Sequence, residues 1–452
     1  MEKDKKYLSL PVKLAYGSGD FGSNFFYMMV SSFTLIYMTN AVGLNAGVVG
    51  TLILISKLLD GVTDVVFGNL IDKTHSRMGK ARPWMFFSGF PLAICLILIF
   101  AIPTSLAENA QYIWFFIFYT CANVLFYTAN NISYATMLAL ITRNESERVS
   151  LGSFRYIFAV VASIIVSSVT VMAAETFGGG ASGWRTVAII YAVILLIFNS
   201  IASLVCKEVP DNDEERTGVD FQNNKEKTSF WKLLKVVITN KYYLMLLGIY
   251  LFFYMNSNLA TSIGVYYFQY VMGNASLLGV VSLSSLVMMV GLIFNPSLVR
   301  KFGMYKVNLI TYILSCILSV FLVIVTYQAN FTGIVVVFFL RAITTAFLMG
   351  SLNAIVAEVA RNCYLKNGVH TEGMMFSCSS IGMKVGGGLG AGLAGWLLAA
   401  VNFDGTAAVQ SEAVINMIKF TYAGIPLILT ILITVCLMFL KVKEENERLE
   451  AK

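Results

Sequence analysis

Twelve long apolar runs, six on each side of one charged segment, constrain this chain more than any other feature. They cover roughly 14–40, 47–71, 84–103, 111–142, 151–174 and 184–206, then roughly 242–271, 277–299, 307–328, 331–360, 374–401 and 414–440. A membrane-spanning helix needs ~20 apolar residues. Inside lipid, each backbone N–H and C=O must be bonded within its own segment or a closed barrel, so runs of this length read as helices. The expected architecture is an all-α membrane protein with twelve transmembrane helices in two six-helix bundles. Composition agrees, since only 13% of the 452 residues are charged against ~25% in an average soluble domain. Twelve spans use roughly 240 to 300 residues, which leaves short loops. An ATP-hydrolysing domain, a receptor domain or a large soluble catalytic domain has no room.

The basic residues assign the sides. Of the 32 Lys and Arg, all but six fall at the termini, in the even-numbered gaps or in the central segment, and the odd-numbered gaps carry none. Basic residues near helix ends are retained on the cytoplasmic side, so both termini are expected there, in a multi-pass protein of a bacterial inner (plasma) membrane. The formal charge of +7 is thus a record of topology, and nucleic acid is not an expected partner. The N-terminal MEKDKKYLSL is polar and does not read as a cleavable signal. The expected organisation is an N-terminal bundle over 1–206, a cytoplasmic linker over 207–237 and a C-terminal bundle with a short tail over 238–452. The linker contains KEVPDNDEERTGVDFQNNKEKTSFWK, with an amphipathic end at 230–237.

The six remaining basic residues are Lys57, Arg155, Arg185, Arg341, Lys384 and Lys419. Arg185 and Lys419 lie near span ends, where long side chains snorkel to the interface. A charge at the bilayer centre costs at least ~2.5–3.5 kcal/mol, so the other four, with Asp20, Asp60 and Asp64, are candidates for function. In the second run Lys57, Asp60 and Asp64 stand at i, i+3 and i+7 on one helical face. Two carboxylates one turn apart call for a cation or proton, and Thr63 adds an oxygen. In the first run Tyr16, Asp20, Asn24 and Tyr27 share a face among glycines. In the fourth, Asn123, Tyr127, Asn131 and Tyr134 do the same, with Thr128 and Asn130 adjacent. Stripes of amides, hydroxyls and aromatic rings suit a carbohydrate, which needs hydrogen bonds at its edge and stacking on its face; they also suit interhelical hydrogen bonds. Arg155 lies about one turn inside the fifth span, where it could hold a substrate hydroxyl or carboxylate or snorkel to the interface. Lys384 is mid-span among glycines at four-residue spacing and needs a carboxylate, for which Asp60 and Asp64 are the obvious donors of negative charge. Arg341 has no acid in its own helix, and its partner is not legible.

Nothing supports enzyme chemistry. A phosphate-binding Gly-Lys-Ser/Thr loop is missing, and His75 and His370 lie in loops. The seven cysteines (Cys95, Cys121, Cys206, Cys316, Cys363, Cys378, Cys436) are scattered and lack metal or disulfide spacing. No cofactor and no metal site are expected, beyond a coupling Na+ at Asp60 and Asp64.

Five strings carry a resemblance: KLAYGSGDFGSNF, KLLDGVTDVVFG, IDKTHSRMGKARPW, ERVSLGSFRYIFA and TEGMMFSCSSIGMKVGGGLG. They resemble the glycoside–pentoside–hexuronide:cation symporters of the major facilitator superfamily, over about residues 12 to 400. By that resemblance Asp60 and Asp64 would bind the coupling ion, Na+ or H+, with Thr63 and Thr128. Asn24, Asn131 and Arg155 match sugar-contacting positions, and Lys384 matches a lysine near both sites. With Asp20, Tyr27 and Tyr127 from the polar stripes, these form the expected substrate site. Some positions differ. Melibiose-type members carry acids where Asn24 and Asn131 stand, and an Asn where Thr63 stands. The family's acidic motif after helix 10 is here Arg361-Asn362-Cys363-Tyr364, its loop arginine is His370, and the Pro-Tyr-Gly of helix 4 is Ser133-Tyr134-Ala135.

The expected function is a monomeric, cation-coupled sugar symporter working by alternating access. Keeping Arg155 and Lys384 while exchanging two carboxylates for amides should make the cavity more positive. A glucuronide, hexuronide or pentoside is therefore expected over a neutral galactoside. The alternative is a sugar sensor of the same fold that binds without transporting.

Overall fold

The computed structural model describes residues 8–72, 74, 76–142, 144–209, 239–368, 372–407 and 409–451. Among these, twelve long helices follow the twelve apolar runs: α1 (Leu10–Val42), α2 (Ala46–Asp72), α3 (Arg82–Ile99), α4 (108–140), α5 (Glu145–Thr176) and α6 (Gly180–Val205), then α7 (Lys241–Val271), α8 (Leu277–Phe302), α9 (Met304–Tyr327), α10 (Phe331–Asn367), α11 (Glu372–Ala400) and α12 (412–439). A short polar helix, α13 (Val442–Glu450), closes the chain. Eleven of the twelve are apolar and long enough to cross a membrane. The exception is α2, whose 27 residues reach about 40 Å at ~1.5 Å per residue but include Lys57, Asp60 and Asp64. Of these three charges, Asp60 is paired, with Lys384 of α11.

The six-helix halves share one large buried core, and each adds a smaller cluster of its own. In the first, α1 packs on α5 and α6, and α3 packs on α4 and α6; in the second, α7 packs on α11 and α12, and α10 packs on α8 and α9. The halves meet where α2 lies along α11, α5 along α8 and α1 along α7. Glycines make the α2–α11 approach possible, as expected of small residues at membrane helix contacts. A Cβ on Gly50 would lie 2.9 Å from the Gly392 carbonyl oxygen, and one on Gly395 would collide with that of Ala46. Gly386 and Gly390, on another face of α11, lie against the α7 carbonyls of Leu251 and Met255. The glycine repeat is therefore two packing stripes, one per half.

At the face of the odd-numbered gaps the halves are bonded together. Thr39 Oγ1 and the Tyr266 hydroxyl are 2.9 Å apart, Asn40 Nδ2 donates to the Tyr270 hydroxyl at 2.7 Å, and Trp396 Nε1 donates to Thr51 Oγ1 at 2.9 Å. The outer ends of α1 and α7 are wound as π-helix (Met29–Phe33 and Tyr37–Val42; Tyr267–Val271). Matching distortions in matching helices of the two halves fit an internal repeat. On the opposite, basic face, Glu208 accepts from the backbone N–H groups of Lys80, Ala81 and Arg82 at 2.8, 2.9 and 3.1 Å. Val209 N donates to Leu140 O at 2.9 Å. The first residues assigned to the linker thus belong structurally to the first half, because Glu208 caps the start of α3. Residues 210–238, including the amphipathic 230–237 end, lie outside the described residues, as does His370.

Candidate functional site

Two polar clusters gather most of the sequence-predicted site residues. The first joins α1, α4 and α5. Arg155 Nε lies 3.4 Å from Asp20 Oδ1, and Arg155 Nη2 donates to Asn131 Oδ1 at 3.2 Å. The guanidinium stands 4.8 Å above the Tyr134 ring, an arrangement that fixes its plane. Asn24 spends one amide hydrogen on the Asp20 carbonyl at 2.8 Å. Tyr127 stacks on Phe26 at 5.3 Å and on Tyr27 at 5.9 Å, which makes a short aromatic wall beside the amides.

The second cluster bridges the halves. Lys384 Nζ lies 3.2 Å from Asp60 Oδ2 and donates to the Asp60 carbonyl at 2.7 Å. Thr128 Oγ1 donates to Asp60 Oδ1 at 2.6 Å. Thr63 donates back to the Asp60 carbonyl at 3.1 Å, so its hydroxyl hydrogen is engaged in its own helix. Asp64 stands one turn further along α2, and its side chain lies outside the described residues. Lys57 packs by its Cβ against the position of Gly388. The carboxylate at Asp60 is therefore neutralised from the opposite half, by Lys384.

A local distortion of α4 positions part of this site. Cys121–Tyr127 is π-helix, a form found mostly at functional positions. The Thr128 hydroxyl lies 3.0 Å from the Asn123 carbonyl five residues back. The extra residue per turn presents Tyr127 to α1 and Thr128 to α2 from adjacent positions.

Not every residue of the polar stripes belongs to a site. Tyr16 and Tyr134 bond each other's carbonyls, at 3.2 and 2.6 Å, and their rings stack at 4.6 Å. Asn123 donates to the Tyr119 carbonyl at 2.9 Å. Asn130 is fully buried, with its Nδ2 2.9, 3.1 and 3.2 Å from the acceptors Met85 O, Ser88 Oγ and Asn199 Oδ1. The Tyr16–Tyr134 and Asn130 bonds are interhelical fasteners, whereas the Asn123 bond lies within α4; Asn199 on α6 gave no pattern of its own in the sequence.

The expectation of excess positive charge at Arg155 and Lys384 is corrected here. Each faces a carboxylate, Asp20 and Asp60 respectively, so neither leaves a net charge in the cavity. Both pairings run between helices; the first is unreadable from spacing along one helix, and the second is among those expected for Lys384.

A cavity of about 470 Å³ lies between the halves, bounded by Met28 and Ser32 of α1, Tyr156 and Ser167 of α5, and α7, α8, α10 and α12. Its size is within the usual ~300–1,000 Å³ of small-molecule sites. Its first-half wall comes from α1 and α5, the helices that also carry Asp20 and Arg155. On the α7 side Tyr254, Asn256, Ser257 and Thr261 contribute. This polar string lies in the seventh apolar run, where its spacing is visible in the sequence.

The MFS/sugar transport protein family model matches residues 15–444. The chain belongs to this family. Like its MFS relatives it is a membrane transporter, not an enzyme. It is 27% identical to the isoprimeverose transporter of Lactiplantibacillus pentosus over 443 residues, 97% of this chain and 90% of that one. It is 26% identical to the putative glycoside/cation symporter YagG of Escherichia coli (strain K12), covering 93% of this chain and 90% of that one. Among solved structures, the nucleoside transporter NupG superposes with a TM-score of 0.68 at 13% identity, covering 94% of this chain and 99% of that chain. That likeness gives the MFS fold.

Proposed function

We propose that this MFS/sugar transport protein is a cation-coupled symporter that imports a glycoside by alternating access, with a glucuronide, hexuronide or pentoside preferred over a neutral galactoside. The observation that carries the reading is the Lys384–Asp60–Thr128 bridge between the halves. An ion pair across a domain interface is a contact that a competing cation can open. In the proposed cycle Na+ or H+ binds at Asp60 and Asp64 and displaces Lys384. The glycoside then binds at Asp20, Asn24, Tyr27, Tyr127, Asn131 and Arg155, where the freed Lys384 reaches it. Only the doubly loaded or the empty carrier rocks between its two states. The halves 1–206 and 238–452 move as the two bodies, both termini face the cytoplasm of a bacterial inner membrane, and the carrier works as a monomer without a cofactor. The names of the relatives support a glycoside substrate and a cation partner.

Uptake of a labelled glycoside panel into proteoliposomes, with and without Na+ and proton gradients, tests the reading. Concentrative uptake should need one of the gradients and should vanish in the Asp60→Asn/Asp64→Asn double variant. Uphill uptake that survives in that variant refutes the mechanism. Binding without counterflow in the wild-type protein would instead identify a sensor.

A further inference from the structure

An intramembrane charge of the second half has no ion-pair partner among the described residues. Arg341, on α10, is 8% exposed and lines the cavity between the halves. Among the described residues its side chain makes no ion pair, and its Nε has no hydrogen-bond partner. On its own helix Thr344 and Thr345 turn their hydroxyl hydrogens to the Arg341 carbonyl, both at 2.9 Å. No Asp or Glu is among the residues that line the cavity. Three further buried groups in the same lining lack partners among the described residues, the hydroxyls of Ser32, Ser167 and Tyr422. Ser32 and Ser167 come from the first half and Tyr422 from the second.

A guanidinium stays charged under all ordinary conditions. An unpaired buried charge is expensive, and so is each buried hydroxyl without a partner. Four such groups facing one cavity are complementary to a ligand that brings acceptor oxygens, of which at least two carry negative charge for the planar fork of the arginine. The remaining walls include Phe253, Tyr254, Met288 and Phe338, which are suited to a sugar face and not to a free inorganic anion.

We propose that Arg341 anchors a second subsite, in the C-terminal half, which takes a carboxylate or sulfonate substituent of the glycoside, with Ser32, Ser167 and Tyr422 as neutral hydrogen-bonding partners. This rests on the reading of the protein as a glycoside carrier and moves the selection for an anionic substrate away from Arg155 and Lys384, whose charges are answered within the protein.

The test is equilibrium binding to the purified full-length carrier of three ligands sharing one ring: methyl glucoside, methyl glucuronide, and the glucoside whose primary hydroxyl is replaced by sulfonate. The wild-type protein should bind at least one of the anionic ligands about tenfold or more tighter than the neutral glucoside. Arg341→Gln should abolish that preference while leaving glucoside affinity within about threefold, and Arg341→Lys should keep part of it. Tighter binding of the glucuronide identifies a carboxylate subsite, and tighter binding of the sulfonate a sulfonate subsite. Thermal melting gives a readout independent of the ligand. Without ligand, Arg341→Gln should melt at or above the wild-type temperature, because it removes an unpaired buried charge, whereas loss of a structural arginine lowers it. A lowered melting temperature overturns the subsite, as does an anion preference that survives Arg341→Gln or is missing from the wild-type protein. Binding of none of the three ligands overturns the glycoside reading along with it, whereas glucoside binding that ignores Arg341 overturns the subsite alone.

Discussion

Replacing Lys384 by Met should tighten cation binding, a result opposite to that expected if the lysine were part of the cation site. Its ammonium lies 3.2 Å from Asp60 Oδ2, with the two side chains only 16% and 14% exposed. At that separation and an effective dielectric constant of about 20, the attraction is about 5 kcal/mol before desolvation is subtracted. Taking two charges out of water removes much of this, leaving a coupling of about 1–3 kcal/mol, equivalent to about 5–150-fold in affinity. A coupling cation must displace the ammonium and so binds more weakly by that factor. In Lys384→Met the carboxylate keeps the Thr128 hydroxyl but has lost its tethered competitor. Titration of the detergent-solubilised variant with Na+ and Li+ against a choline background, followed by thermal shift, should show the tightening, since a ligand of the folded state stabilises in proportion to its occupancy. The double variant Asp60→Asn/Lys384→Met should lose the response. Unchanged or weaker cation affinity in Lys384→Met refutes the competition and with it the proposed order of events.

Three further outcomes follow from the same structure. Asp64→Cys should abolish concentrative uptake while leaving measurable sugar binding, checked by uptake and equilibrium binding on the same preparation; retained uphill uptake would remove Asp64 from the coupling site. Gly395→Val should disfavour closure of α2 on α11, because its Cβ collides with the Ala46 carbonyl oxygen, at an overpacking cost of about 1–3 kcal/mol. The readout is faster labelling of Thr39→Cys by an impermeant maleimide than in the Gly395 background. Asn362→Leu should cut the chain of amides in which Asn240 donates to Asn362 and Asn362 donates to Asn446, at 3.1 and 2.8 Å. Leaving those buried amides unsatisfied costs about 1–3 kcal/mol, seen as a lower melting temperature and earlier proteolysis of the α13 tail.

The twelve helices were legible because membrane-spanning length and apolarity go together, and eleven of them satisfy both. The ends were less so. The tenth apolar run stops near residue 360, but α10 continues to Asn367, where Asn362 bonds to the tail helix and Arg361 pairs with Glu450. Hydropathy measures the thickness of the membrane, not the length of the helix. The Lys384–Asp60 pair was readable because a mid-span lysine has few acids to choose from. Arg155–Asp20 was not, because nothing in a sequence orders α1 against α5. Tyr16 shares a helical face with Asp20 and Asn24, yet it is locked against Tyr134; periodicity gives the face and not what lies opposite. The π-helical turn that sets Tyr127 and Thr128 has no composition signal, since it arises from how α4 fits its neighbours.

The balance of charges inside the membrane explains how one ion pair could enforce coupling in the proposed symporter. With the carrier empty, Asp60 is answered by Lys384 and Asp20 by Arg155, so neither pair exposes a naked charge when the halves rock. If the cation alone binds, Asp60 is satisfied but Lys384 is left buried and unpaired. Removing one member of a buried pair costs about 3–5 kcal/mol, which lowers the population able to rock by a factor of about 150 to several thousand. If the sugar alone binds, Lys384 stays on Asp60 and one contact of the substrate site is missing. Only when both bind are Asp60 and Lys384 both answered, the carboxylate by the cation and the lysine by the sugar. Leak is suppressed by the cost of the one unpaired lysine, without any separate gate. It follows that Lys384→Met, which removes that cost, should let the cation cross without sugar. Sugar-independent Na+ or proton flux through the variant in proteoliposomes would carry the argument; a variant that remains tight to ions would break it.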